Sequence, residues 1–174
     1  MRLFLSFIAL FGMALNISAL DIPEIFGNDM ILQRNTQCKI WGWAEANHYV
    51  RIVTGWDNHC YQVKAGSDGA WKVEVKTPEA SYNTYDITFT EYRSDPEKKA
   101  KGNQPIATSV SKDVLIGEVW FCSGQSNMEM PLGGFWNCPV EGANETILES
   151  KKYNSSIRVA TIAKDGKQEP QKKV

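Results

Sequence analysis

Between residues 37 and 110 the chain consists almost entirely of short runs rich in β-branched and aromatic residues, each bounded by turn formers. Such a pattern leaves little room for anything but a β fold. The runs are 37–43, 49–56, 60–65, 71–77, 85–91 and 106–110. Asp57-Asn58 and Ser67-Asp68-Gly69 mark tight turns between them. Alternation is clearest in Trp71-Lys72-Val73-Glu74-Val75-Lys76, which sets Trp71, Val73 and Val75 on one face and charges on the other. That is a strand with one buried face. No helical period interrupts the series, and the spacing predicts a β-sandwich over residues 20–112. The polar, Lys-rich run at 93–104 reads as a solvated loop inside it.

The stretch that follows, DVLIGEVWFCSGQSNMEMPL from Asp113 to Leu132, has a different character. Val114-Leu115-Ile116 and Val119-Trp120-Phe121-Cys122 together look like a strand of a parallel sheet with both faces covered. Glu118, inside that run, faces solvent at a junction or is a buried acid that needs a partner. The run then breaks at Ser123-Gly124-Gln125-Ser126-Asn127, which allows a turn at the carboxyl end of the strand, where open α/β sheets place their ligands. Two readings of Ser126 are open. It is an ordinary helix N-cap, or it is a nucleophile whose own N–H, at the positive end of a helix, stabilises a developing oxyanion. No linker separates Ser111-Lys112 from Asp113, so the two parts are expected to pack directly.

The block GEVWFCSGQSNMEMPL resembles the nucleophile block of the SGNH hydrolases, and within them the sialate O-acetylesterases. FGNDMILQR at Phe26 to Arg34 and KIWGWA at Lys39 to Ala44 resemble the opening of the same family's accessory β-domain. The resemblance implies a chain that is mainly β as it stands: an N-terminal β-sandwich, then the beginning of an SGNH-type α/β, flavodoxin-like hydrolase domain, truncated, over 113–174. It also implies a secreted carbohydrate esterase that removes O-acetyl groups from sugars, sialic acid first among them, without a cofactor. Ser126 carries over as nucleophile and oxyanion N–H donor, with Gly124, Gln125 and Asn127 shaping the site.

Here the chain departs from the family's pattern. The family's base and acid come from an Asp-x-x-His block near the end of the catalytic domain, and no His follows Ser126. His48 and His59, both in the β region, read as surface or turn histidines. The chain is therefore expected to be a fragment that lacks the Asp and His and is inactive alone, with the missing C-terminal part of the same enzyme as its partner. The alternatives are a non-catalytic carbohydrate-binding β-sandwich and an acetylxylan-type esterase. For the binder, Trp41, Trp43, Trp56 and Tyr61 would form a sugar-stacking platform, against which stands simple core packing. After the nucleophile block, Gly133-Gly134, Pro139 and Gly142 oppose regular helix. Phe135, Trp136 and Asn137 are candidates for lining an acyl-sugar pocket. Residues 156–163, SIRVATIA, read as a second strand.

Residues 1–19 have the layout of a cleaved targeting segment: Arg2, an apolar stretch, then Ser18-Ala19. A secreted or periplasmic protein is expected, with no membrane attachment after cleavage. Export would allow the cysteines, Cys38, Cys60, Cys122 and Cys138, to form disulfides. A Cys122–Cys138 bridge would brace the Ser126 turn, and the other reading makes Cys122 a small buried strand residue. No Cys-x-x-Cys or close His pair suggests a metal. With 174 residues, 43% hydrophobic, there is material for a real core. A net charge of -1 and pI near 6.1 offer nothing to nucleic acid.

Overall fold

In the computed structural model, residues 20–98, 103–153 and 155–162 are described. The leader-like segment 1–19 and the tail beyond 162 lie outside them. The described chain is mainly β, with seven strands in two sheets. These are β1 (Ile31–Gln33), β2 (Gln37–Trp43), β3 (Tyr49–Thr54), β4 (Cys60–Lys64), β5 (Ala70–Lys76), β6 (Ser81–Tyr92) and β7 (Pro105–Gly117). A five-stranded sheet runs in the order β1-β7-β6-β3-β4, and β2 pairs with β5 alone. All pairings are antiparallel except β1 with β7, which is parallel.

Period-2 alternation drives this arrangement. In β3, Val50, Ile52 and Thr54 point inward and are fully buried; in β6, Ile87 and Phe89 do the same. In the smaller sheet Ile40, Trp71 and Val75 answer them, and all join one apolar core. Trp71 and Phe89, from different sheets, lie 6.1 Å apart between ring centroids. Backbone approach is close at one point: Asp21 bridges to Trp43, and a Cβ on Gly42 would sit 2.5 Å from the Asp21 carbonyl and 2.7 Å from the Trp71 ring. Only glycine fits there.

Five of the six expected strands match observed ones within a few residues at each end, and 37–43 matches β2 in full. The expected turns are present, with Asn58 and Gly69 at positive φ. The sixth, at 106–110, is part of a much longer β7. That strand continues through Lys112 and Asp113 with a bulge: Ile87 pairs with Ser111 but Tyr85 with Val114, and the extra residue is taken up by Asp113 at φ 57°. β1, three residues long, went unread, and so did helix α1 (Ala143–Ser150).

The strand expected over 114–122 needs correction. Val114, Leu115 and Ile116 are buried in succession, as a strand covered on both faces should be, and Leu115 and Ile116 pair with the parallel β1. That strand, however, is the end of β7 in the β body, and it stops at Gly117. Val119, Trp120 and Phe121 are exposed, because nothing among the described residues covers them. Residues 155–162 carry no strand either, having no neighbour to pair with.

Candidate active site

Gly117 is the last ladder residue of β7, and the chain leaves the sheet there under close control. The Arg34 N–H donates to the Gly117 carbonyl at 2.9 Å. Glu118 follows and is neither bare nor buried: its Oε1 accepts from Arg34 Nε at 2.5 Å and its Oε2 from Gln33 Nε2 at 2.9 Å. The Val119 N–H donates to Gln33 Oε1 at 2.8 Å. Hydrogen bonds from Gln33 and Arg34, with the positive charge of Arg34, hold the Glu118 carboxyl below the usual range. Gln33 and Arg34 lie in the FGNDMILQR block, yet their role was not evident from it. Their partner is 84 or 85 residues away, and only the parallel β1–β7 pairing brings them together.

Ser126 opens a single 3-10 turn, Ser126–Met128. The Met128 N–H bonds the Gln125 carbonyl at 2.9 Å and the Glu129 N–H bonds that of Ser126 at 3.0 Å. As first residues of the turn, Ser126 and Asn127 have N–H groups with no intrahelical acceptor. Gly124 lies against this turn, where an added Cβ would stand 2.6 Å from Met128 Cγ. Ser123 to Glu129 are all exposed.

The histidines are committed elsewhere. His59 stacks edge-on against Tyr61 with 4.5 Å between centroids. His48 is not a plain surface histidine: its Nδ1 lies 2.6 Å from Oε1 of Glu91, an acid at an inward position of β6 and fully buried. The Glu45 N–H donates to the same oxygen at 3.0 Å. Period-2 reading puts Glu91 on the core face with Ile87 and Phe89, a signal that a partner was needed.

Phe135, Trp136 and Asn137 come together as a tight reversal closed by paired backbone bonds between Phe135 and Cys138, with Gly134 at φ 77°. Trp136 stands at its tip, 97% exposed. The expected Cys122–Cys138 disulfide is not formed: both thiols are free and exposed, and the strand that would have fixed Cys122 has ended five residues earlier. Cys38 and Cys60 are also free. Burial pushes the Cys38 thiol up. Among the described residues no group of three or more His, Cys, Asp or Glu could hold a metal ion. No described helix is long and apolar enough to cross a membrane.

The two-sheet β body leads directly into an exposed serine turn, and the fold is similar to that of a carbohydrate acetylesterase. The crystal structure of such an enzyme from Xanthomonas citri superposes with a TM-score of 0.57 at 25% identity, covering 74% of this chain and 25% of that one. More particularly, the chain is similar to sialate O-acetylesterases. It is 27% identical to the human protein over 133 residues, 74% of this chain and 24% of that protein, and 26% identical to the rat protein over 141 residues. No family model matches the chain. The chain spans about a quarter of the length of the curated relatives it matches.

Proposed function

We propose that this chain supplies the accessory β-sandwich and the nucleophile segment of a secreted carbohydrate esterase of the sialate O-acetylesterase type. The observation that carries the reading is the Ser126 turn: an exposed serine opening a 3-10 turn, nine residues after a strand that is itself anchored to the β body. In this reading Ser126 Oγ attacks the acetyl carbonyl of an O-acetylated sugar. The Ser126 N–H, joined by that of Asn127, faces the oxyanion as it forms. A base takes the serine proton and passes it to the departing sugar oxygen, which leaves as a hydroxyl, and water then releases acetate from the acyl-enzyme.

The base and its orienting acid come from polypeptide that corresponds to the remaining three quarters of the relatives. The exposed apolar residues of 119–162 are the surface against which it packs, completing an SGNH-type α/β domain that begins in this segment. Without it the chain retains at most a small fraction of full activity, since loss of the base and acid of a serine hydrolase costs several orders of magnitude in rate. Sialic acid is the favoured sugar on similarity to the named relatives, and the leader-like segment 1–19 supports export. Against the competing carbohydrate-binding reading, in which Trp41, Trp43, Trp56 and Tyr61 form a platform, stands the packing of the partly buried Trp41, Trp56 and Tyr61 against the core.

The test is covalent. The chain joined to the matching hydrolase polypeptide is treated with a fluorophosphonate, and acetate release from O-acetylated sialic acid is followed beside it. Labelling at Ser126, with both label and activity lost in Ser126→Ala, is the expected result. Activity that survives Ser126→Ala would overturn the assignment.

A further inference from the structure

Residues 118–158 leave the β body and return to it at the same edge. At the exit, Gln33 and Arg34 together hold both carboxylate oxygens of Glu118, and Gln33 also accepts from the Val119 N–H. At the return, Arg158 Nη1 donates to the Met30 carbonyl at 3.0 Å and to the carbonyl of Asp113, and its Nη2 lies 3.2 Å from Asp113 Oδ2. The Arg158 side chain is mostly buried in this contact, at 16% exposure. Met30 and Arg34 flank β1, while Asp113 and Glu118 bracket the last residues of β7. The Met30 carbonyl also accepts from the Leu115 N–H at 3.0 Å, so Arg158 binds at a point already locked into the parallel pair.

We propose that the β1–β7 edge positions the Ser126 turn through two staples, Gln33/Arg34 on Glu118 and Arg158 on Asp113 and Met30. The accessory sheet then contributes to the proposed reaction without touching substrate. The proposal rests on Ser126 being the nucleophile, and these are positioning residues. The ion pair at the exit is about half exposed on both sides, so as an energetic contact it is weak. Its geometry carries more weight: three hydrogen bonds converge on two successive residues, fixing the direction in which the chain leaves the sheet. Local order is thus expected to change on mutation, and global stability is not.

The experiment uses the full 174-residue chain and NMR. In Gln33→Ala, exchange of the Val119 amide should rise roughly fivefold, the effect of losing one hydrogen bond of ordinary net strength. Amides of β3 should exchange as before and Tm should hold. Arg34→Glu should loosen the same residue, and adding Glu118→Arg should restore it. Arg158→Ala should lower backbone order at Ile157 and Val159 in 15N relaxation. An unchanged Val119 amide in Gln33→Ala, a rise shared equally by β3, or no rescue by the charge exchange would each overturn the proposal. Fluorophosphonate labelling of the completed enzyme is read separately. If Ser126 takes no label while exchange behaves as described, the nucleophile reading fails, and the staples stand only as anchors of the segment, without a part in the reaction.

Discussion

Residues 20–117 bury Ile40, Ile52, Ile87, Phe89 and Ile116 almost completely, whereas residues 118–162 leave Trp120, Phe121, Trp136, Leu148 and Val159 in solvent. Both regions are rich in large apolar side chains. In the first, alternation along the strands turns one set of apolar residues toward the facing sheet, where they join a single core. In the second, the apolar residues have no described layer to meet, and only short elements form: 3-10 turns at Ser126–Met128 and Lys151–Tyr153, an eight-residue helix and the Phe135–Cys138 reversal. Hydrophobic content alone does not make a core; two surfaces that complement each other do. Exposed apolar side chains in such number are consistent with the proposed packing of further polypeptide on this segment.

The sharpest way to break this comparison is to remove an anchor from each side. Phe89→Ala in the β body should cost about 3–5 kcal/mol, read as a shift in the urea midpoint. Trp120→Ser with Phe121→Ser should stay within about 0.5 kcal/mol per site and reduce self-association in sedimentation. A comparable loss on both sides would mean that the second region has a core of its own. Next comes the buried acid. Glu91→Ala strips His48 and the Glu45 N–H of their shared acceptor, and breaking a buried pair of this kind costs about 3 kcal/mol. Gly42→Ala should cost about 1–3 kcal/mol by forcing the Asp21 carbonyl and the Trp71 ring apart, measured by thermal unfolding.

The smallest effect belongs to the junction. Since the folded state depresses the Glu118 titration, its contribution is fully present above the unfolded carboxylate value. It is lost as pH falls through the lower, folded one. The difference in urea midpoint between wild type and Glu118→Gln should therefore be small near neutral pH and vanish on acidification. A difference that grows with acid would contradict the assigned pairing.

Much of the β body was legible because its cues are local. Period 2 in Trp71 to Lys76, and turn formers such as Asp57-Asn58, act within a few residues and need no knowledge of the rest. What was missed depends on distant partners. β1 is only Ile31–Gln33, too short to show a period, and becomes a strand by pairing with β7. The run from Val114 to Cys122 reads as one strand, since apolar character continues past Gly117, yet a strand ends where its neighbours end. The pairing of Gln33 and Arg34 with Glu118 had no local trace. Glu91 did carry one, an acid in phase with Ile87 and Phe89, but nothing local named His48, read from sequence as a surface or turn residue, as the partner that the structure supplies. The Ser126 turn was legible from its small and polar residues; the cysteine bridge across it presupposed a strand that is not there.

The division between a self-sufficient β body and an uncovered Ser126 segment is tested most directly by limited proteolysis of the 174-residue chain, with the cuts mapped by mass spectrometry. Cuts should cluster beyond Gly117 and leave a resistant core of about residues 20–117 that retains its cooperative unfolding. Equal protection on both sides of Gly117, or early cuts within β6 and β7, would contradict it.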